Sequence, residues 1–317
     1  MLLIYFIWIN FTIKILREIM DFFNYIHAVG TGAKGNRDLT FNEAKDMMKQ
    51  ILNRDAHNEQ IAAFLLGWRL KPETTEEFKG AVSACDGYIK KTKIENSLEL
   101  GYPFDGKSKN PYIFPLVAKV LKASNLNLVV VGDELQPAKG GITTKEICNN
   151  IGIEENLHYF DRADFFKELH QLTDIRMKLG LRTGFSTIEK LPNITESEYA
   201  ITGVFHKPYV KKYVEIFAKR YKKFAIIQGN EGTPELFSKG RLWIENSNNI
   251  KEYIIDPQHY GINYKKSWEI ITLEGSLNQL KNPSAEYLKL ATLNAAIYLF
   301  VTDKAKSIDE AYEILNG

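Results

Sequence analysis

Cysteine is scarce in this chain of 317 residues: Cys85 and Cys148 are the only two, far apart and outside any C-x-x-C spacing. That excludes a disulfide framework and reads as two reduced thiols of a cytoplasmic protein. An excess of one charge is also lacking. The net charge is +2, so no global field draws the chain to nucleic acid or membrane, and any electrostatic footprint has to be local. His27, His57, His158, His170, His206 and His259 form no metal-spaced cluster with the cysteines. H-E-x-x-H and G-x-S-x-G are missing too, which removes two common hydrolase readings. No internal repeat and no low-complexity segment occur.

Long apolar runs are likewise few. Met1 to Ile9 is almost wholly apolar, but Asn10, Thr12 and Lys14 interrupt it, short of the ~20 residues that span a bilayer. Its positive charges, Lys14 and Arg17, follow the apolar run instead of preceding it as in a signal peptide. Met20-Asp21-Phe22-Phe23 reads like an ordinary start, so residues 1–19 read as an extension outside the fold, with no stable membrane partner expected. A signal-anchor oriented by the lysine and arginine is the alternative.

What is present is an ordinary globular composition, 44% hydrophobic and 25% charged, long enough for two domains or one large α/β unit. From Phe22 to about Lys91 the apolar period is helical. Thr40 with Glu43, and Thr74 or Thr75 with Glu77, look like capping boxes. Asn58 to Leu70 is apolar on nearly every side and predicts a buried helix. After a polar link the character changes. Leu126 to Val131, ended by Gly132, has the look of a buried parallel strand, with a helix before it from Tyr112 to Lys122. Ala200–Phe205, Lys207–Tyr221 and Phe224–Ile227 repeat the strand–helix–strand order. Ala291–Phe300 and Ile308–Leu315 close the chain as helices, the second capped by Ser307 with Glu310. The expected fold is therefore a small all-helical domain over 20–92, joined by later helices near 164–190, packed on a larger α/β domain over 96–317 with a mostly parallel sheet.

At several of these places the residues resemble a known family. Leu39-Thr40 through Glu43-Ala44, Gln60 to Leu65, Lys71-Pro72-Glu73-Thr74 and Glu76 to Gly80 match its helical opening. Arg176-Met177-Lys178-Leu179-Gly180-Leu181-Arg182-Thr183 looks like its R-x-x-L-G-x-R-T. Gly203-Val204-Phe205, Gly229-Asn230-Glu231-Gly232, and Asn294-Ala295-Ala296 with Lys304-Ala305 and Ser307 follow in order. This is similar to the anthranilate phosphoribosyltransferase and nucleoside phosphorylase superfamily, glycosyltransferase family 3, over essentially Met20 to the end. The resemblance implies dimers formed through the helical domain.

The departures are as consistent as the matches. The family's G-T-G-G-D phosphate loop falls on Gly101-Tyr102-Pro103-Phe104-Asp105, where bulky residues replace glycines that let a backbone approach pyrophosphate. Its K-H-G becomes Val130-Val131-Gly132, without the two basic residues. Its magnesium-ligating Asp-Glu pair falls on Pro234-Glu235, a degenerate position. The F-N after R-T becomes Phe185-Ser186, while Arg176 matches the arginine that contacts the aromatic acid substrate. Together with Tyr102 to Lys107, Ile26 to Gly30, Arg37-Asp38-Leu39 and Pro115-Leu116, these changes resemble a TrpD-like, YbiB-type branch. That resemblance implies a kept transferase fold, a degraded phosphoribosyl pocket, and non-specific nucleic-acid binding by a homodimer. The expectation is then no catalysis, no metal and no cofactor; magnesium would enter only if the chain were an active phosphoribosyltransferase.

Three groups of cations are the candidate contacts for phosphate. Lys107 and Lys109 fall on a loop at the carboxyl end of a strand, the usual ligand crevice of an open α/β sheet; a solvated turn is the plainer reading. Arg176, Lys178 and Arg182 read either as a cleft wall or as a helix end whose cations meet the macrodipole, with 178 and 182 on one helical face. Lys211 and Lys212 lie in the densest basic stretch, seven cations between Lys207 and Lys223 against one acid, Glu215. A solvated helix face is its plainer reading, but Tyr209, Tyr213 and Tyr221 interleave with the cations, which suits single strands. Asp133-Glu134 reads as a polar strand end, and Gly140-Gly141 as a loop feeding a helix.

Overall fold

The computed structural model describes residues 22–246 and 249–316; the apolar extension expected at 1–19 lies outside them. Along the chain come α1 (22–30), α2 (Phe41–Leu52), α3 (Asn58–Leu70), α4 (Thr75–Cys85), β1 (Ser97–Gly101), α5 (Phe114–Val120), β2 (Asn127–Gly132) and α6 (Thr144–Asn150). Then follow β3 (Leu157–Asp161), α7 (Arg162–Phe165), α8 (Lys167–His170), α9 (Thr173–Leu179), α10 (Phe185–Ile188), β4 (Tyr199–Gly203), α11 (Pro208–Phe217) and β5 (Lys223–Ile227). The antiparallel pair β6 (Gly240–Asn246) and β7 (Asn249–Ile255) precedes α12 (Leu273–Lys281), α13 (Ala285–Val301) and α14 (Ile308–Asn316). Two compact units result: a helical one of residues 22–89 with Glu168–Ile188, and an α/β one of Lys90–Lys167 with 189–316.

In the helical unit, capping residues start the helices as the sequence predicts. Thr40 accepts from the Glu43 N–H and Glu43 caps the Thr40 N–H in return; Thr74 and Glu77 repeat the arrangement. Each such box satisfies donors that a helix start otherwise leaves open. α2 and α4 approach so closely that a Cβ on Gly80 would stand 2.3 Å from the Phe41 carbonyl oxygen; only glycine fits there. α3 buries Ile61, Phe64, Leu65 and Trp68 but leaves Leu66 and Leu70 exposed. It is thus open on one side, contrary to its all-round apolar pattern.

In the α/β unit seven strands stand in the order β3-β2-β1-β4-β5-β6-β7, parallel from β3 to β5 and antiparallel thereafter. β1, β4 and β5 are buried along their whole length, as parallel strands covered on both faces must be. α13, apolar all round, runs through the core. The chain runs outward to β2 and β3 on one side of β1 and to β5 on the far side of β4, so a topological switch point lies between β1 and β4. Its carboxyl edge is where open α/β sheets hold ligands. The expected 112–122 helix is shorter, Phe114–Val120, and the 207–221 helix ends at Phe217 before a 3₁₀ turn, Ala218–Arg220. Among the described residues no helix is long and apolar enough to cross a membrane.

Candidate functional site

At that carboxyl edge the chain leaves β1 through the turn that departs from the glycine-rich pattern. Tyr102 and Phe104 turn inward and are buried. Tyr102 packs against Tyr112 and Phe114 and donates its hydroxyl to Glu235 Oε1 at 2.9 Å. Phe104 lies 4.7 Å from the Arg162 guanidinium, which is buried and ion-paired to Asp133 and Glu189. Asp133 is therefore half of an internal network, not the polar strand end its sequence context suggests. Gly106, at φ +74, sets the turn against Gly141, where a Cβ would meet backbone at 2.4 Å. That approach lets Lys107 bridge Ile142 through main-chain bonds of 2.8 and 2.7 Å.

Lys107 is not on the surface. Its ammonium is wholly buried, 2.6 Å from Glu235 Oε2 and 2.8 Å from the Pro111 carbonyl oxygen, with the Phe237 ring 4.2 Å away. Burial pushes its pKa down, although the charge of Glu235 acts against this. Neither a solvated turn nor an exposed phosphate contact describes it: the side chain neutralises a carboxylate in the core. Glu235 in turn accepts from the N–H groups of Ile113 and Phe114 at 2.8 and 3.2 Å, at the start of α5, and from the Thr233 hydroxyl at 3.2 Å. With Tyr102 and Lys107 its two oxygens have five protein donors.

A second carboxylate repeats the theme. Glu231 accepts from the Ser108 N–H at 2.8 Å and hydroxyl at 3.0 Å, the Lys109 N–H at 3.2 Å and the Asn110 N–H at 3.4 Å. Successive main-chain N–H groups aimed at one point form an anion-binding concavity, and here the anion is the chain's own. Burial alone would raise this carboxyl, but the Ser108 hydrogen bonds and the charges of Lys139 and Lys107 outweigh it and hold the pKa below the usual range. Glu231 keeps a left-handed backbone, φ 53 and ψ 24, to reach the nest.

These residues do not fit magnesium. Pro234 offers no carboxylate, the oxygens of Glu235 are taken by protein donors, and among the described residues no group of three or more His, Cys, Asp or Glu side chains could hold a metal ion. A hard cation of this kind needs free oxygen ligands.

The other candidate cations are spread over the two units. In the helical unit Arg176 is buried with its guanidinium 5.5 Å from the Phe185 ring centroid. Lys178 is exposed and paired to Asp174 at 2.7 Å, and Arg182 is exposed. α9 stops at a left-handed cap on Gly180, so Lys178 and Arg182 do not share a helical face; glycine at this position ends helices. In the α/β unit the basic stretch is less basic than it reads. Lys207 pairs with Glu252, Lys211 with Glu215, Lys222 with Glu198 and Lys223 with Asp303, and Lys212 is half-buried. Tyr213 and Tyr221 are buried, leaving Tyr209 as the exposed tyrosine of the run. Lys109 is half-buried and lies over the exposed Trp268, 5.2 Å from its ring centroid. Glu231, Arg162 and Trp268 escaped the sequence reading; for Trp268 the signal was available in Lys265-Lys266-Ser267-Trp268, two cations beside an aromatic.

Residues 24–86 match the helical bundle domain of a glycosyl transferase family, and residues 145–316 match its a/b domain. The chain belongs to this family. Its relatives include an uncharacterized protein of Aquifex aeolicus, 27% identical over 86% of this chain and 91% of that protein. The anthranilate phosphoribosyltransferase of Caldicellulosiruptor saccharolyticus is 26% identical over 86% and 88%. Among solved structures, the anthranilate phosphoribosyltransferase of Saccharomyces cerevisiae in complex with PRPP and Mg has a TM-score of 0.73 at 14% identity, covering 93% of this chain and 92% of that one. The Thermus thermophilus enzyme gives 0.72 at 17% identity, covering 93% of each chain. At these identities the structural likeness establishes the fold, a helical domain plus a larger α/β domain, and the fold alone.

Proposed function

We propose that this family member binds nucleic acid non-specifically at the carboxyl edge of its sheet and does not transfer a phosphoribosyl group. One observation carries the reading: the amides of Ser108, Lys109 and Asn110 donate to Glu231, and those of Ile113 and Phe114 to Glu235. A pyrophosphate entering here displaces two internal carboxylates and, at Glu235, separates a buried ion pair. Tyr102 and Phe104 fill the space that glycines leave open in a phosphate loop. No metal and no cofactor enter the proposal.

Cations nonetheless remain around the closed pocket. Lys109 and Lys266 lie over Trp268, Lys265 is exposed beside them, and Lys139 stands 4.0 Å from Glu231. They support a ligand contacted from outside along its phosphates, with Lys211 and Lys212 as further surface contacts of the same unit; Lys178 and Arg182, on the helical unit, are candidate contacts of that unit taken by itself. Lys107 and Arg176, both buried, have no direct contact in this reading. A cytoplasmic homodimer belongs to the same proposal. It is supported by exposed Phe23, Leu66, Leu70, Met177 and Leu181 on the helical unit and by two buried free thiols.

The test is a paired one. Purified protein with phosphoribosyl pyrophosphate, anthranilate and magnesium is expected to give no product above the no-enzyme control. A single-stranded oligonucleotide is expected to bind with an affinity that falls steeply with salt, each neutralised phosphate contributing about −0.7 to the logarithmic slope. Magnesium-dependent turnover instead places the chain with the transferases among its relatives.

A further inference from the structure

The structure assigns Trp268 as a stacking platform for an unpaired base of single-stranded nucleic acid, with Lys109 and Lys266 positioned for the flanking phosphates. The inference rests on the nucleic-acid reading above and names the site within it. Trp268 is 75% exposed, whereas Trp68 and Trp243, the other tryptophans among the described residues, are buried. A large aromatic side chain left in water forfeits the burial that normally stabilises it, so its exposure asks for an occupant.

The backbone that carries the ring is held in place. Asn110 accepts from the Ser267 N–H at 2.9 Å and donates its side-chain amide to the Ser267 carbonyl at 3.3 Å. Ile271 N–H donates to the Ser108 carbonyl at 2.8 Å, and the Glu269 N–H to the Ser267 hydroxyl at 3.1 Å. The segment carrying Trp268 is therefore stitched to the turn 108–110 that Glu231 fastens from its other side. A platform fixed before binding loses little conformational freedom on binding.

Its neighbours select the class of ligand. Lys109 Nζ lies 5.2 Å and Lys266 Nζ 5.5 Å from the ring centroid, both within cation–π range. Lys265 is exposed next in sequence. Their flexible stems let these ammonium groups yield the ring face to a base and turn to its flanking phosphates, and stacking tolerates any base because each has a π-face. Paired bases in a duplex present no free face, so the platform favours single strands.

Intrinsic fluorescence reads this site directly. Titration with a twelve-nucleotide oligothymidylate at low salt is expected to quench tryptophan emission of the wild-type chain as a base stacks on Trp268. Trp268→Ala should weaken binding roughly 5- to 150-fold, the range that removing one stacked aromatic gives, while Trp268→Phe keeps most of the affinity and loses the quench. Lys109→Gln and Lys266→Gln should each flatten the salt slope by about 0.7. Because the ring is exposed, the variants' circular-dichroism melts should match the wild type. If the wild type binds and all four variants bind equally well, the platform is wrong while nucleic-acid binding stands. If the wild type fails to bind by gel shift and fluorescence alike, both readings fall. If Trp268→Ala changes the oligomeric state in sedimentation with no change in binding, the ring is a protein contact and the assignment is overturned.

Discussion

Glu77 in the helical unit and Glu235 in the α/β unit are the same device built at two scales. Each is a wholly buried carboxylate that collects two main-chain N–H groups, one aromatic donor and one lysine. Glu77 takes Leu39, Thr74, the Trp68 indole and Lys71; Glu235 takes Ile113, Phe114, the Tyr102 hydroxyl and Lys107, with Thr233 added. The lysines differ. Burial works against the charge of Lys71, but hydrogen bonds to Asp38 and Glu77 outweigh it and raise its pKa, and Asp38 is itself solvent-exposed. Among the described residues Lys107 has Glu235 alone as its acid within ion-pair distance, and burial wins, lowering its pKa. A carboxylate hub near the surface can share its cation with water-accessible acid; a hub in the core is a closed pair. The first is a helix-cap device, the second ties the turn after β1 to the start of α5.

The largest expected effect follows from that closure. Glu235→Ala leaves the Lys107 ammonium and two amides without their acceptor inside the core, and removal of one partner from a buried pair costs about 3–5 kcal/mol. Urea denaturation should show that loss, or no folded protein. The double variant Lys107→Met/Glu235→Gln, which buries no charge, should recover a large part of it. A double variant no better than Glu235→Ala would mean that the amides and not the ion pair dominate.

A third buried carboxyl sharpens the contrast, because among the described residues it has no lysine within hydrogen-bond distance. Glu99 on β1 accepts from the Asn193 N–H and the Tyr221 hydroxyl. Burial raises its pKa to about 7, against the opposing pull of Tyr221, Arg220, Asn193 and Lys91. A carboxyl raised in the folded state favours folding while protonated. Its contribution is full below the unfolded value of about 4.3 and is lost as pH climbs toward 7. Glu99→Gln should therefore be near neutral at pH 4.5 and stabilising by roughly 3 kcal/mol at pH 8. Equal effects at both pH values, measured by denaturant midpoints, would remove burial as the cause. Glu77→Ala ranks beside it, at about 3 kcal/mol in the same urea denaturation, since the Trp68 indole and two amides lose an acceptor at about 1 kcal/mol or more each but Lys71 keeps Asp38.

The contrast also explains what was legible in the sequence. α3 was read to the residue, and the Thr74–Glu77 box correctly, because helix period and capping are written within three or four positions. The parallel order of Leu126–Val131, Ala200–Phe205 and Phe224–Ile227 was legible as short apolar runs. β1 was legible only as an unbounded strand before the loop of Lys107 and Lys109, since Ser97-Leu98-Glu99-Leu100-Gly101 carries a charge in its middle, and β7 was not legible, being an exposed polar edge. The candidate site fared worse for a physical reason. Glu231 and Glu235 meet residues some 120 to 130 positions away, and the acids that neutralise the basic run come from 198, 252 and 303. Local pattern shows Tyr102 and Phe104 in the turn after β1; only the fold shows that Glu231 and Glu235 collect the backbone N–H groups of 108–110 and 113–114.

Glu231 supplies the smallest expected change and the most pointed one. Its carboxylate stabilises the turn 108–110 through four hydrogen bonds, while its left-handed backbone opposes them by about 1–2 kcal/mol for a residue other than glycine. Glu231→Gly relieves the backbone and empties the nest, so the two effects offset and the net loss should be about 1 kcal/mol at neutral pH. A lowered folded pKa means that the wild-type contribution is present above about pH 4 and disappears as acid protonates the carboxylate. The gap between wild type and variant should accordingly narrow below pH 4. With the nest vacated, its N–H groups face solvent and can take an oxyanion. Millimolar inorganic phosphate should then raise the melting temperature of Glu231→Gly and leave the wild type unmoved. Equal stabilisation of both proteins by phosphate would place the anion elsewhere, and Glu231 would be a structural clasp with no bearing on anion binding.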